Sequence, residues 1–230
     1  MRILIVSAAA FELEDIVDQF IFDHSLNERL DRFRYQGLEI DTLYTGIGMV
    51  PTAYWLSKTL AAERYDCALN LGIAGSYSKK LQIGDVVNIT SDVFCEMGAE
   101  DDDKFITLHE LDLLDASGFP FIDGVLYNDK KCKNQAIDDL PVAKGATSNT
   151  IHGNAKSIKQ IIESFNPDTE SMEGAAFFYV CLNENIPCAQ VRSISNYVNI
   201  RDKDDWNIPK AIESLTEATI KILDCIDECE

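Results

Sequence analysis

Short apolar runs closed by small residues, each followed by a stretch with helical periodicity, constrain this chain more than any other feature. Arg2–Ser7 is the first such run and Cys67–Leu71 the second. A half-exposed strand alternates apolar with polar residues, so an uninterrupted run implies cover on both faces, as in parallel sheets. Further strands are expected at Leu38–Tyr44, Val86–Ile89, Val142–Thr147 and Pro187–Ile194. Helical spacing marks Ala10–Phe20, Pro51 to about Arg64 (Val50, Ala53, Leu56 and Leu60 on one face), Ala155–Phe165, Gly174–Asn185, and a last helix from about Pro209. Pro51 suits a first helical turn. Ala211, Leu215, Ala218 and Ile222 form the apolar stripe of the last helix.

The segment from Glu100 to Leu140 is polar and has too few apolar residues for a core of its own, so it reads as an irregular excursion with one helix. At 230 residues, against about 150 per domain, one α/β domain over residues 1–230 with a largely parallel, doubly covered sheet accounts for the pattern.

Charge narrows the partners. Twenty basic against 39 acidic residues leave −19, a field that repels phosphate backbones and anionic lipid headgroups. Nucleic acid and membrane surfaces are therefore excluded as expected partners. No stretch approaches the roughly 18 apolar residues of a membrane span, and the N-terminal apolar run is too short for a signal peptide. Seven cysteines make an odd count without a C-x-x-C pair, which predicts free thiols, with Cys67, Cys181 and Cys188 buried and inert, in a reducing cytoplasm. His24, His109 and His152 lack ligand spacing, and Glu100–Asp103 lacks the alternation of a calcium loop, so no metal is expected.

Ligands of open α/β sheets gather where strands end. Four such ends stand out: Glu12 after the first strand, Gly46-Ile47-Gly48, Gly72-Ile73-Ala74-Gly75, and Arg192-Ser193-Ile194-Ser195-Asn196. Ser171-Met172-Glu173-Gly174 adds a carboxylate before an apolar helix. Each alone is no more than a turn or a helix-opening acid. Together, and in order with Ser7–Glu12, Thr45–Gly48, Asn70–Gly75, Leu81–Val87, Ser171–Ala176 and Arg192–Asn196, they resemble the purine nucleosidase and nucleoside phosphorylase superfamily along nearly the whole chain.

The resemblance implies an α/β fold, in a single domain, with a central mixed, partly barrel-like sheet flanked by helices, assembled as a homo-oligomer (dimer or higher) and needing no cofactor. Within the superfamily the sequence is similar to the futalosine hydrolases, on Leu108–Leu111, Thr147–Thr150, Met172–Phe177, Ser193–Asp202 and Trp206–Ile212. That branch implies hydrolysis of the N-glycosidic bond of futalosine to hypoxanthine and dehypoxanthine futalosine, in menaquinone biosynthesis. The substrate is then a small purine nucleoside.

Site roles follow from the same resemblance. Glu12 falls on the water-activating carboxylate, and Glu173 on the ribose-gripping one, with the Met172 backbone beside it. Ile73, Ala74 and Gly75 wall the pocket, and Thr147, Ser148 and Asn149 are candidates for the base site. Asn196 stands where adenine-cleaving relatives place an aspartate. An amide cannot supply an ionisable proton but can donate to O6 and accept from a protonated N7, which suits a 6-oxopurine. The first loop carries Glu12 and no arginine, which favours water over phosphate as nucleophile. Arg192 is expected as an internal ion-pair partner. Arg201 and His109 are the candidates for a tail carboxylate, with solvation favoured for both. Another purine nucleosidase or phosphorylase, for inosine or for methylthioadenosine and S-adenosylhomocysteine, and a non-catalytic nucleoside-binding homologue remain the alternatives.

Overall fold

A computed structural model describes residues 1–102, 104–200 and 206–226. In chain order the elements are β1 (Arg2–Ser7), a 3-10 turn at Ala10–Glu12, α1 (Glu14–Val17), β2 (Ile21–Asn27), β3 (Leu30–Tyr35), β4 (Leu38–Tyr44), α2 (Met49–Ala62), β5 (Cys67–Ser76), β6 (Val86–Phe94), β7 (Gly98–Asp101), β8 (Lys104–Thr107), β9 (Phe121–Ile122), β10 (Val125–Tyr127), α3 (Gln135–Asp138), β11 (Val142–Thr147), α4 (Ala155–Phe165), β12 (Thr169–Ser171), α5 (Gly174–Asn183), β13 (Cys188–Tyr197) and α6 (Ile208–Asp224).

β1 shows why its run is uninterrupted. Leu4 and Val6 pack into one core with Leu56, Leu60 and Phe177, while Ile3 and Ile5 pack into the other with Leu13, Leu69 and Leu215. All four are fully buried, and each contributes about 1.5–3 kcal/mol of hydrophobic stabilisation. The sheet is mixed rather than largely parallel. β1 pairs in parallel with β4 and β5, whereas β2, β3 and β4 form an antiparallel wing. β5, β12, β11, β6 and β13 close on one another as a five-stranded barrel, because β13 pairs with both β5 and β6.

β5 belongs to both halves of this sheet. Along one edge, Cys67–Asn70 pair with β1, and Gly75 and Ser76 pair with β12. Between those two partners the sheet forks. On its other side β5 runs beside β13 for most of its length.

Several expectations are corrected. The strand at Cys67 is not stopped at Gly72–Gly75 but runs through to Ser76. Its glycines serve close approach: a Cβ at Gly72 would lie 2.4 Å from Arg192 Nη1 and 2.8 Å from Glu12 Oε1. The helix expected over Ala10–Phe20 is only a 3-10 turn and one α-helical turn, because the Glu12 side chain folds back onto the chain instead of facing outward. Val50 is solvent-exposed, and the buried face of α2 is Thr52, Leu56, Thr59 and Leu60. The excursion is more ordered than its polarity implied, with a β7–β8 hairpin and a β9–β10 hairpin that joins β6. His109 lies within it, its Nδ1 3.1 Å from the Leu114 carbonyl and its ring against Phe121.

The expectation of free thiols fails at one place. Cys67 and Cys132 form a disulfide across 65 residues, with Cα atoms 6.1 Å apart. The returning excursion bridges to β13 through Lys131 and Cys188, and β13 adjoins β5, which brings the two sulfurs together. Cys95, Cys181 and Cys188 are buried free thiols and Cys225 an exposed one. Thiol chemistry therefore no longer argues for a reducing compartment. Among the described residues no helix is long and apolar enough to cross a membrane.

Candidate active site

One cavity of about 210 Å3 opens at the C-terminal end of β1 and the forked stretch of β5. Ala8, Ala9, Phe11 and Glu12 supply one wall, Ile73–Gly75 a second, Glu170–Glu173 a third, and Ser195 and Asn196 a fourth. Ile47, Ile151, Trp206 and Ile208 give it an apolar rim.

Glu12 is held by three donors. Its Oε2 accepts from Ser7 Oγ at 2.6 Å and from the Ala9 N–H at 3.1 Å, and its Oε1 accepts from the Ile73 N–H at 3.1 Å. The Ile73 amide is free to do so because it lies in the fork, where neither β1 nor β12 claims it. The carboxylate is thus buried and fixed, yet borders the cavity.

Glu173 stands at the N-cap position of α5, at the opposite wall, without a side-chain capping bond. Its Oε1 accepts from the Gly48 N–H at 3.0 Å, and Gly48 presents that amide through a positive φ of 100°, which favours glycine. Burial chiefly raises the Glu173 carboxyl above its ordinary value. Arg192 and the Gly48 amide pull it back, and Glu12 pushes it up further. Arg192, only 1% exposed, is the internal ion-pair partner, its Nη1 3.9 Å from Glu173 Oε2. Asn70 and Gln190 hold the rest of its guanidinium. Behind it Asp92 is fully buried, and burial raises its carboxyl to about 6 against the opposing bonds from Gln190 and Thr147.

Asn196 packs against the side-chain-free Gly75, its Oδ1 accepting from Ser195 Oγ at 2.8 Å and its Nδ2 donating to the Tyr197 carbonyl at 3.2 Å. One amide hydrogen and one carbonyl lone pair remain for a ligand.

The structure therefore gathers Glu12, Ile73, Ala74, Gly75, Met172, Glu173 and Asn196 around one cavity. Thr147, Ser148 and Asn149 are not among its lining residues; the first two are buried and Asn149 is exposed. The Thr147 hydroxyl joins Asp92 to the Ala175 N–H, and Ser148 donates to Glu96. Asn149 Oδ1 accepts from the Met49 N–H, steadying the loop that presents Gly48. His109 is not among the lining residues, and Arg201 lies outside the described residues.

Sequence reading missed Glu170, which lines the cavity and is buried. It lies on a three-residue strand, too short for any periodicity to mark it. It also missed the rim residues Ile151 and Trp206, whose only signal was apolar character in polar surroundings.

Three carboxylates, Glu12, Glu170 and Glu173, border the cavity, and no Lys, Arg or His is among its described lining residues. Such a site stabilises a developing cation and can take a proton from water, but it repels an anionic nucleophile.

The sequence model described as the Phosphorylase superfamily matches residues 2–229. A futalosine hydrolase of Thermus thermophilus is 27% identical over 193 residues, covering 79% of this chain and 80% of that protein. A 5'-methylthioadenosine/S-adenosylhomocysteine nucleosidase of Bacillus subtilis is 28% identical over 199 residues, covering 82% of each. Among solved structures, the native futalosine hydrolase of Helicobacter pylori superposes with a TM-score of 0.82 at 18% identity over 98% of both chains. A Helicobacter pylori methylthioadenosine nucleosidase variant superposes with a TM-score of 0.80 at 19% identity, covering 98% of this chain and 99% of that one. These last two likenesses concern the fold.

Proposed function

The chain belongs to the phosphorylase superfamily, and on that premise we propose that it is an N-ribosyl hydrolase acting on futalosine, releasing hypoxanthine and dehypoxanthine futalosine. Cleavage of a nucleoside N-glycosidic bond builds positive charge on the sugar and negative charge on the base. Glu12 is the general base. With its Oε2 fixed by Ser7 and Ala9 and its Oε1 by Ile73, it takes a proton from a water in the cavity as that water attacks the anomeric carbon. Glu173 grips the ribose hydroxyls beside the Met172 backbone, and its charge favours the cationic sugar. Asn196 donates to O6 of the departing base and accepts from its protonated N7.

The observation that carries hydrolysis over phosphorolysis is the lining itself: three carboxylates and no cationic side chain among the described residues. The one buried guanidinium nearby, that of Arg192, is taken up by Glu173, Asn70 and Gln190. Futalosine is favoured over an adenine nucleoside by the amide at position 196. The identities to the nucleosidases of both substrate classes are alike, so methylthioadenosine or S-adenosylhomocysteine is the second reading. A cytoplasmic homo-oligomer acting in menaquinone biosynthesis fits the first.

One assay separates these readings: incubation with futalosine, inosine and methylthioadenosine, with and without phosphate, following free base. Hypoxanthine release from futalosine without phosphate is the expected result. Phosphate dependence overturns hydrolysis, and preference for methylthioadenosine overturns the substrate.

A further inference from the structure

Asp92 on β6 is buried within the barrel and takes no part in the chemistry described so far. All three of its described hydrogen-bond partners are neutral donors. Its Oδ1 accepts from the Val93 N–H at 2.8 Å and from Thr147 Oγ1 at 2.9 Å, and its Oδ2 accepts from Gln190 Nε2 at 3.1 Å. A buried carboxylate with no cation in direct contact is costly to keep. Neighbouring strands and α5 nonetheless make room for it: a Cβ at Gly145 or Gly174 would lie 2.4 or 2.3 Å from its Oδ2.

The charge sets the direction of two groups that could otherwise face either way. A side-chain amide donates at one end and accepts at the other. Because Gln190 Nε2 is turned toward Asp92, its Oε1 faces Arg192, whose Nε donates to it at 3.1 Å. A guanidinium can only donate, so the reverse orientation sets donor against donor. The Thr147 hydroxyl is directed in the same way. Its proton points at Asp92, which leaves a lone pair for the Ala175 N–H at 2.8 Å, one of the unpaired donors in the first turn of α5. Both relays end beside Glu173. Arg192 Nη1 stands 3.9 Å from its Oε2, and α5 begins at the residue that follows it.

We propose that Asp92 is a positioning residue for glycosidic cleavage: through Gln190 it orients Arg192, through Thr147 it anchors the first turn of α5, and the two together aim the Glu173 carboxylate. The inference rests on the reading of Glu173 as the carboxylate that grips the ribose. It does not depend on which base or 5′ group the nucleoside carries. What matters at position 92 is polarity rather than shape. Asp92→Asn keeps the shape, and keeps Oδ1 as acceptor for Val93 and Thr147, but puts a donor where Oδ2 stood. Gln190 must then turn over and present its own donor to Arg192 Nε. Adding Gln190→Glu repairs the sequence of donors and acceptors, because a carboxylate at 190 accepts from the amide at 92 and from Arg192 alike.

The test measures kcat for base release by the full chain, on whichever of futalosine, inosine and methylthioadenosine it cleaves fastest. The temperature is one at which calorimetry shows each variant folded. Asp92→Asn is expected to lower kcat by about 10- to 100-fold, the order of loss when a group at the site is displaced by up to about 1 Å. Asp92→Asn combined with Gln190→Glu is expected to recover at least about 5-fold over the single variant, since every donor again faces an acceptor. Wild-type kcat in Asp92→Asn overturns the proposal. So does a double variant no faster than the single one, which assigns Asp92 to the stability of the barrel alone. Where Asp92→Asn does not fold, Gln190→Met decides, because it removes the relay to Arg192 and leaves Asp92 in place. A loss of about 10-fold is then expected, and wild-type kcat overturns the relay. Absence of base release by wild type from all three nucleosides refutes the nucleosidase reading, and the proposal with it.

Discussion

Gly72→Ala is the most economical probe of how the fold positions its chemistry. The change adds one methyl to a strand residue whose φ is not positive, and on chain-entropy grounds alone it would stabilise by about 0.4–1 kcal/mol. The structure reverses that sign. The new Cβ would lie 2.4 Å from Arg192 Nη1 and 2.8 Å from Glu12 Oε1, where ordinary contact begins near 3.4 Å. Arg192 cannot retreat, being 1% exposed and bound to Asn70, Gln190 and Glu173. Glu12 is likewise buried and held by Ser7, Ala9 and Ile73, so relief must displace its carboxylate by more than half an ångström or shift the strand itself. Overpacking of this kind costs about 1–3 kcal/mol, equivalent to a few degrees up to about 10 °C in Tm for a chain of this size. A shift approaching 1 Å in a reacting group costs up to about 100-fold in rate. The assay is therefore paired: kcat for base release, and Tm by calorimetry. A drop in both is expected, with kcat falling about 10- to 100-fold. Wild-type kcat at wild-type Tm refutes the packing argument. Wild-type kcat with a lowered Tm means that the guanidinium moved instead of the carboxylate, and removes Gly72 from the positioning of Glu12.

Three further outcomes are expected. Glu12→Gln keeps the acceptor for the Ile73 amide but cannot take a proton, so base release should fall by about 100- to 10,000-fold with folding retained; unchanged turnover removes the general-base role. Asn196→Asp should raise activity toward adenine nucleosides relative to inosine, measured as a ratio of kcat/KM, and a constant ratio sinks the base-selectivity argument. Reduction of the Cys67–Cys132 bond releases a loop of about 65 residues, worth about 4 kcal/mol in the chain-entropy account. The Tm should then fall by on the order of 10 °C in dithiothreitol, and an identical melting curve with and without reductant contradicts the crosslink.

The parts of the molecule legible in sequence are those where one local rule decides the outcome. β1, β4 and β11 begin and end where their patterns predict, since burial on one or both faces leaves its periodicity in the residues. α4 is equally clear, between an Asn154 side-chain cap and Asn166 in the left-handed region. What stayed hidden depends on partners far away in sequence. Gly72 and Gly75 carry the same local signal as a turn, and only Arg192, Glu12 and Asn196 packed against them make them a straight strand. The hairpin of β2 and β3 is largely solvent-exposed along β2, so hydrophobic patterning has little to record. At the site, Glu12, Glu173 and Asn196 were picked out by the family resemblance of the segments that carry them, each being no more than a turn or a helix-opening acid when taken alone. Glu170 was not, because nothing in a three-residue strand distinguishes a carboxylate aimed inward from one among 39 acidic residues.

The fork in the sheet has a consequence for what can vary. The donor that Glu12 takes from β5 is the backbone N–H of Ile73, exposed because one strand partner has left and the next has not arrived. A main-chain group is untouched by exchange of the side chain that it carries. Position 73 is thus free to drift among residue types of suitable bulk and so to reshape the pocket wall, provided it is never proline. One residue earlier, only hydrogen fits. Rigid and permissive positions alternate along a single strand, which lets the pocket wall change while the Glu12 carboxylate keeps its place.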